Sequence, residues 1–221
     1  MKRAPIDLLL FDLDGTLADT APDLAAAANR QRAERGFAPL PLEQLRPLAS
    51  HGARGLIGRA LGLAPGDPQY ESARLQFLDF YEQALCVHTT LFAGMAETLA
   101  RLEAEGLRWG VVTNKASRYT EPLMARLGLH RRAACIVSGD TTPHAKPHPA
   151  PIRHALDACA VSAGRAAYVG DDRRDIDAGR AAGVMTVVAA YGYLGAGADY
   201  SAWGGDHVID QPLDLLDWLG R

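Results

Sequence analysis

Little in this chain ties it to a disulfide scaffold, a membrane or a nucleic acid. It has three cysteines in 221 residues, Cys86, Cys135 and Cys159, far apart and odd in number. That usage argues against a disulfide framework and against the clustered ligands of a zinc site, and it suits a reducing cytoplasm. No stretch approaches the ~20 apolar residues of a membrane span, and the N-terminus lacks the long apolar region of a signal peptide. A net charge of -3 leaves no basic footprint for nucleic acid or a lipid surface. Internal repeats and low-complexity tracts are absent as well. What remains is an ordinary globular composition, 48% apolar and 22% charged. Its length suits one large domain, or one domain carrying a smaller insertion.

The apolar run from Ile6 to Phe11 reads as a strand buried on both faces. The pattern then turns helical for about 70 residues, with helices expected over 21–35, 52–61 and 68–85. Pro39, Pro41 and Pro47 punctuate the stretch between the first two. From Gly94 onward helix and strand alternate. Helices are expected over 95–105, 117–127, 149–160 and 173–182, and strands over 107–113, 135–138, 166–170 and 185–190. An edge strand over 207–209 and a last helix over 212–219 follow, while 192–205 reads as loop. Alternation of this kind predicts an α/β fold, a doubly wound and mostly parallel sheet. The helical run reads as an insertion, so the expected domains are 1–17 with 92–221 as the α/β core and 18–91 as a small helical cap.

Ligands of an open parallel sheet bind at the carboxyl ends of its strands. Four strand ends or following loops carry unusual polar residues here. The first has Asp12 and Asp14, the second Thr113-Asn114-Lys115, the third Lys146-Pro147, and the fourth Gly170-Asp171-Asp172-Arg173-Arg174-Asp175. Each has a bland reading. Thr-Asn is common turn chemistry, a lone Lys between prolines is often solvated, and Asp171 or Asp172 would cap the next helix. Two carboxylates two residues apart at the end of a buried strand are costly without a function, because they lie on one side and repel unless a cation or a proton intervenes. The four together point to a site.

These stretches resemble the haloacid dehalogenase-like hydrolase superfamily over nearly the whole chain. Phe11-Asp12-Leu13-Asp14-Gly15-Thr16 resembles its first motif, Thr113-Asn114 the second, Lys146-Pro147 the third and Gly170-Asp171-Asp172-x-x-Asp175 the fourth. The insertion after the first motif resembles its small α-helical cap. Asp19-Thr20-Ala21-Pro22-Asp23-Leu24 is similar to the phosphoglycolate phosphatase branch. The stretches 110–115, 170–176, Tyr191-Gly192-Tyr193 and Trp203-Gly204 are similar to N-acetylmuramic acid 6-phosphate phosphatases.

The resemblance implies a Mg2+-dependent phosphomonoester hydrolase of the cytoplasm, acting on a small phosphorylated metabolite as monomer or homodimer. It casts Asp12 as nucleophile and Asp14 as general acid and base. Asp12, Asp14 (through its carbonyl), Asp171, Asp172 and Asp175 are the implied metal set. Leu13, Thr113, Asn114 and Lys146 are the implied phosphate contacts, with Thr113 and Lys146 stabilising transition-state charge. The segment 50–55 is the candidate cap contact: Gly52 permits close approach, and Arg54 would pair a substrate carboxylate. Muramic acid 6-phosphate, linked to cell-wall recycling, and 2-phosphoglycolate both carry such a carboxylate. His51 is read as structural, and His144 and His148 as loop residues, since Pro147 argues against a helical metal pair. A dehalogenase would not need the second acid, so Asp14 counts against it. A phosphomutase keeps both acids and stays open, and a non-catalytic phosphosugar-binding protein is the reading from another class.

Overall fold

A computed structural model describes residues 6–194 and 199–220. Six strands form one parallel sheet: β1 (Leu8–Phe11), β4 (Arg108–Val112), β5 (Ile136–Val137), β6 (Ala166–Gly170), β7 (Met185–Ala189) and β8 (His207–Ile209). Their spatial order is β5-β4-β1-β6-β7-β8. Two short strands, β2 (Ala18–Asp19) and β3 (Thr90–Leu91), pair antiparallel outside it. The α/β class and the mostly parallel sheet are those the alternation predicts.

All four residues of β1 are fully buried, which is why this apolar run becomes the central strand. Alternation then splits its side chains. Leu9 and Phe11 join one core with Trp109, Val111 and Val169, while Leu8 and Leu10 join a second with Val112, Tyr168 and Ile152. The first core is covered by α5 (Met95–Ala104), α6 (Ser117–Arg126) and α9 (Asp214–Leu219), the second by α7 (Ala150–Cys159) and α8 (Arg173–Ala182). The chain runs outward from β1 through β4 to β5, then returns to β6 on the other side. The strand order therefore reverses at β1, where a crevice opens outside the strand ends. Asp12, Thr113 and Asp171 each follow one of three adjacent strands, so the topology brings them together.

Between β2 and β3 the chain forms α1 (Ala21–Glu34), α2 (Leu42–Leu45), α3 (Gly52–Leu61) and α4 (Tyr70–Gln83). A 3₁₀ helix, Arg46–His51, sits between α2 and α3. The proline-punctuated stretch thus holds more structure than its sequence suggests. Pro41 precedes α2, and Pro47 occupies the first turn of the 3₁₀ helix, where no backbone N–H is needed. Asp23 of α1 ties the two chain crossings together. Its buried carboxylate accepts from the backbone N–H groups of Val87, His88 and Thr89 at 2.8–3.0 Å and from the Thr89 hydroxyl at 2.6 Å.

The last helix begins at Asp214 rather than Pro212. The expected loop 192–205 contains a 3₁₀ helix, Tyr200–Trp203, with the Asp199 side chain accepting from the Ser201 N–H. Residues 195–198 of that loop, and 1–5 and 221 of the expected core domain, lie outside the described residues. Among the described residues no helix is long and apolar enough to cross a membrane.

Candidate active site

Asp12 follows β1 directly, and both polar contacts of its side chain fall on one oxygen. Oδ1 accepts from its neighbour's backbone, Leu13 N–H, at 2.7 Å and from Lys146 Nζ at 2.9 Å. Oδ2 is left for other chemistry. The Leu13 N–H is therefore spent on Asp12, and the Leu13 side chain is fully buried.

Lys146 is the hub. Its buried ammonium also reaches Asp175 Oδ1 at 2.7 Å, the Tyr168 hydroxyl at 2.6 Å and the Val112 carbonyl at 3.1 Å. Burial opposes its charge, yet Asp12 and Asp175 outweigh that and hold its pKa above the usual lysine value. The Asn114 side chain holds the same residue by its backbone: its amide donates to the Lys146 carbonyl and its oxygen accepts from the Lys146 N–H, both at 2.9 Å. Thr113 is buried, and its hydroxyl oxygen accepts from the Lys115 N–H at 3.2 Å, leaving the O–H free to donate.

Asp12, Asp171 and Asp175 each place a carboxylate oxygen within 4.8 Å of the other two, and all three are buried. Asp171 is fixed by the Thr16 hydroxyl (2.7 Å), the Tyr193 N–H (2.9 Å) and the Ser50 hydroxyl (3.2 Å). Burial, then repulsion from Asp12 and Asp175, push its carboxyl well above the usual range. The Asp12 carboxyl is pushed up to about 7, first by burial and then by Asp175 and Asp14, against the pull of Lys146. One ammonium among three buried carboxylates leaves an excess of negative charge. A hard, oxygen-seeking divalent cation fits such a donor set. The backbone is shaped for this crowding: Gly15 has φ +85°, and a Cβ there would lie 2.2 Å from Asp171 Oδ2.

Asp14 and Asp172 direct their carboxylates elsewhere. Asp14 Oδ1 accepts from Lys115 Nζ at 2.8 Å and from the Thr20 hydroxyl at 2.5 Å. Asp172 caps α8 through the Arg174 N–H, and the Asp175 side chain reciprocates by accepting from the Asp172 N–H at 3.1 Å. The Asp172 carboxylate also holds the Arg174 guanidinium at 2.7 and 2.9 Å. The capping box explains how Asp175, one turn into α8, is turned back toward Lys146.

A cleft of about 280 Å³ opens over these groups. Its floor includes Asp12, Asp14, Thr113, Asn114 and Lys146, and its far wall Leu24, Phe77, Leu78 and Tyr81 from the helical insertion. Gly52 and His51 also border it. Arg54 is exposed and lies outside its walls, whereas Arg174 lines it and donates to the Ser50 carbonyl at 2.8 Å. The rings of His144 and His148 lie 4.3 Å apart, tilted by 37°, and neither borders the cleft.

The Haloacid dehalogenase-like hydrolase family model matches residues 9–189, which span the groups just described except Tyr193. The chain belongs to the haloacid dehalogenase-like hydrolase family. It is 40% identical over 221 residues to an N-acetylmuramic acid 6-phosphate phosphatase of Pseudomonas aeruginosa, covering 100% of this chain and 98% of that one. It is 42% identical over 210 residues to a phosphoglycolate phosphatase of Xanthomonas campestris pv. campestris, covering 95% and 94%. Among solved structures, a predicted phosphoglycolate phosphatase from Haemophilus somnus 129pt superposes with a TM-score of 0.84 at 28% identity, covering 96% of this chain and 97% of that one.

Several participants in this hydrolase's site carry no local sequence signal. Lys115 and Arg174 lie within the polar stretches 113–115 and 170–175, yet nothing in their spacing says that one pairs with Asp14 and the other with Asp172 and Ser50. Tyr168 lies mid-strand and reads as core. Tyr193 lies 22 residues beyond Asp171 in a Gly-rich stretch, and only the fold brings its N–H to that carboxylate.

Proposed function

We propose that this family member is a magnesium-dependent phosphatase that hydrolyses a small phosphomonoester through a phosphoaspartyl intermediate on Asp12. The observation that carries this reading is the state of Asp12. One carboxylate oxygen is pinned by Lys146 and Leu13, the other is unbonded, and the group sits at the floor of a cleft beside Thr113.

Asp12 Oδ2 attacks phosphorus in line with the ester oxygen, and the P–O bond to the alcohol breaks. Asp14, on the cleft floor two residues on, gives the departing oxygen a proton and recovers one from the water that hydrolyses phospho-Asp12. Thr113 donates its hydroxyl to an equatorial phosphate oxygen. Lys146 holds Asp12 and stabilises the charge that develops beside it. Asn114 acts by fixing the Lys146 backbone. Asp12, Asp171 and Asp175, with the Asp14 carbonyl, would hold Mg2+; when bound, that ion neutralises the crowded carboxylates and the incoming phosphate. Asp172 keeps α8 in register so that Asp175 faces inward.

Residues 18–91 serve as the cap over a core of 1–17 and 92–221, setting specificity and excluding water. N-acetylmuramic acid 6-phosphate is favoured over 2-phosphoglycolate, because a cleft of about 280 Å³ with an apolar and aromatic wall exceeds what a two-carbon acid fills. In this reading Arg174 takes the carboxylate-recognising part expected of Arg54. The role is cytoplasmic, in cell-wall recycling.

The test is phosphate release from a panel holding both esters, with Mg2+ and with a chelator, for the wild type and Asp12→Asn. Release that needs Mg2+ and vanishes in the variant supports the reading. Isomerised sugar without free phosphate would point to a mutase instead.

A further inference from the structure

Among the described residues, the lysine and arginine side chains bordering the cleft are those of Lys115, Lys146 and Arg174. Lys146 holds Asp12, and Arg174 holds Asp172 and the Ser50 carbonyl. Lys115 has no part in the steps on Asp12, yet it is held from every side. Its N–H donates to the Thr113 hydroxyl oxygen at 3.2 Å, and its carbonyl accepts from the Gly139 N–H at 2.8 Å and the Thr120 hydroxyl at 3.0 Å. Its side chain is only 9% exposed, and the ammonium lies 4.8 Å from the ring centre of Tyr81 in the helical insertion.

What that ammonium touches is informative. It donates to Asp14 Oδ1 at 2.8 Å, and the buried Thr20 hydroxyl donates to the same oxygen at 2.5 Å. Oδ2 takes neither bond. Two donors on Oδ1 draw the negative charge there, so a proton carried by Asp14 sits on Oδ2. They also fix the rotation of the carboxyl group, so Oδ2 keeps one direction. When its proton passes to the ester oxygen as the P–O bond breaks, the charge left on Asp14 collects between an ammonium and a hydroxyl already in place. The same arrangement serves when Oδ2 takes a proton from the water that hydrolyses phospho-Asp12. An ion pair this buried gains little for stability alone, because desolvation offsets the attraction.

We propose that Lys115 is a positioning residue, seconded by Thr20, that anchors Asp14 by Oδ1 and so aims Oδ2 at the leaving oxygen. The assignment rests on the phosphatase reading of the same cleft. Its test exploits the leaving alcohol, since a sugar alkoxide needs a proton to depart and p-nitrophenolate does not. The ratio kcat/KM covers the steps up to that departure and omits hydrolysis of phospho-Asp12.

The experiment measures kcat and KM for wild type, Lys115→Met and Thr20→Val on N-acetylmuramic acid 6-phosphate, glucose 6-phosphate and p-nitrophenyl phosphate, alongside thermal melts. The quantity read is kcat/KM for the better sugar ester divided by that for the aryl ester. It should fall at least about tenfold in Lys115→Met and about threefold in Thr20→Val, carried by kcat rather than KM. Thr20→Val keeps the side chain's shape and reads the same oxygen, so it decides the matter should Lys115→Met fail to fold. Equal losses on both kinds of ester give the anchor a structural role and overturn the proposal, whatever the melting temperatures. A fall carried by a raised KM makes Lys115 a substrate contact and overturns it too. An unchanged quotient in either variant, or a wild type that cleaves only the aryl ester, overturns it and leaves the phosphatase reading standing. A wild type that releases phosphate from none of the three overturns both.

Discussion

Asn114 and Lys146 are joined by a reciprocal pair of 2.9 Å hydrogen bonds, side-chain amide to backbone peptide, across 32 residues of sequence. The pair locks the loop after β5 to the end of β4. From that anchor the Lys146 side chain reaches Asp12 and Asp175 at 2.9 and 2.7 Å. Asn114→Ala should therefore act at a distance. Freed of its brace, Lys146 loses definition, and we expect kcat to fall roughly 10- to 100-fold, as for the loss of two hydrogen bonds positioning a charge. Steady-state kinetics check this; unchanged kcat would mean that Lys146 is held without Asn114.

Asp12→Asn should abolish turnover. Without divalent cation it should also make the protein's stability less dependent on pH. The folded carboxyl is raised to about 7, against about 4 in an unfolded chain. The native state then binds the extra proton, so this group's stabilisation is full below about pH 4 and is lost as pH rises through about 7. Melting curves in chelator from pH 4 to 8 should fall less steeply for the variant, with Asp171, also raised, supplying the residual slope. Parallel curves would show that Asp12 does not titrate there.

Arg54→Ala and Arg174→Ala should differ. Arg54 is exposed and outside the cleft, so its loss should change kcat/KM for carboxylate-bearing esters less than about twofold. Arg174 lines the cleft and bridges Asp172 to the Ser50 carbonyl. Its loss should cost roughly tenfold or more on the same esters, within the range for one charge-assisted hydrogen bond. Comparing carboxylate-bearing with carboxylate-free sugar phosphates reads this directly, and the reverse ranking would return the role to Arg54.

Gly15→Ala would set a methyl 2.2 Å from the Asp171 carboxylate at a backbone angle that L-residues rarely adopt. The variant should melt lower than wild type and gain less stability from added Mg2+. In the wild type, chelator should silence the enzyme and Mg2+ should restore it. A Gly15→Ala protein with wild-type melting and a wild-type magnesium response would show that the turn yields without disturbing Asp171.

How much was legible beforehand depended on whether the signal was local. The apolar run ending at Phe11, the strand-helix alternation after Gly94 and the pair of aspartates at 12 and 14 are short-range patterns, governed by periodicity and by the cost of burying charge. They give the fold class and most of the acidic and basic groups. What each group touches is a long-range matter. Lys115 reaching Asp14, Arg174 held between Asp172 and Ser50, Tyr193 capping Asp171 and Tyr81 facing the cleft all pair residues that are remote in the chain or whose direction depends on packing. The same holds for Arg54: its residue type suits anion recognition, but α3 packs Leu56 and Ile57 into the core and leaves position 54 on the outside. The chain by itself determined that a cluster of carboxylates would form at the strand ends, because hydrophobic patterning fixes where those ends lie. Only the tertiary structure decided which of those carboxylates share one space and which are taken by a lysine or an arginine, because that depends on how helices from distant segments turn their side chains toward the crevice.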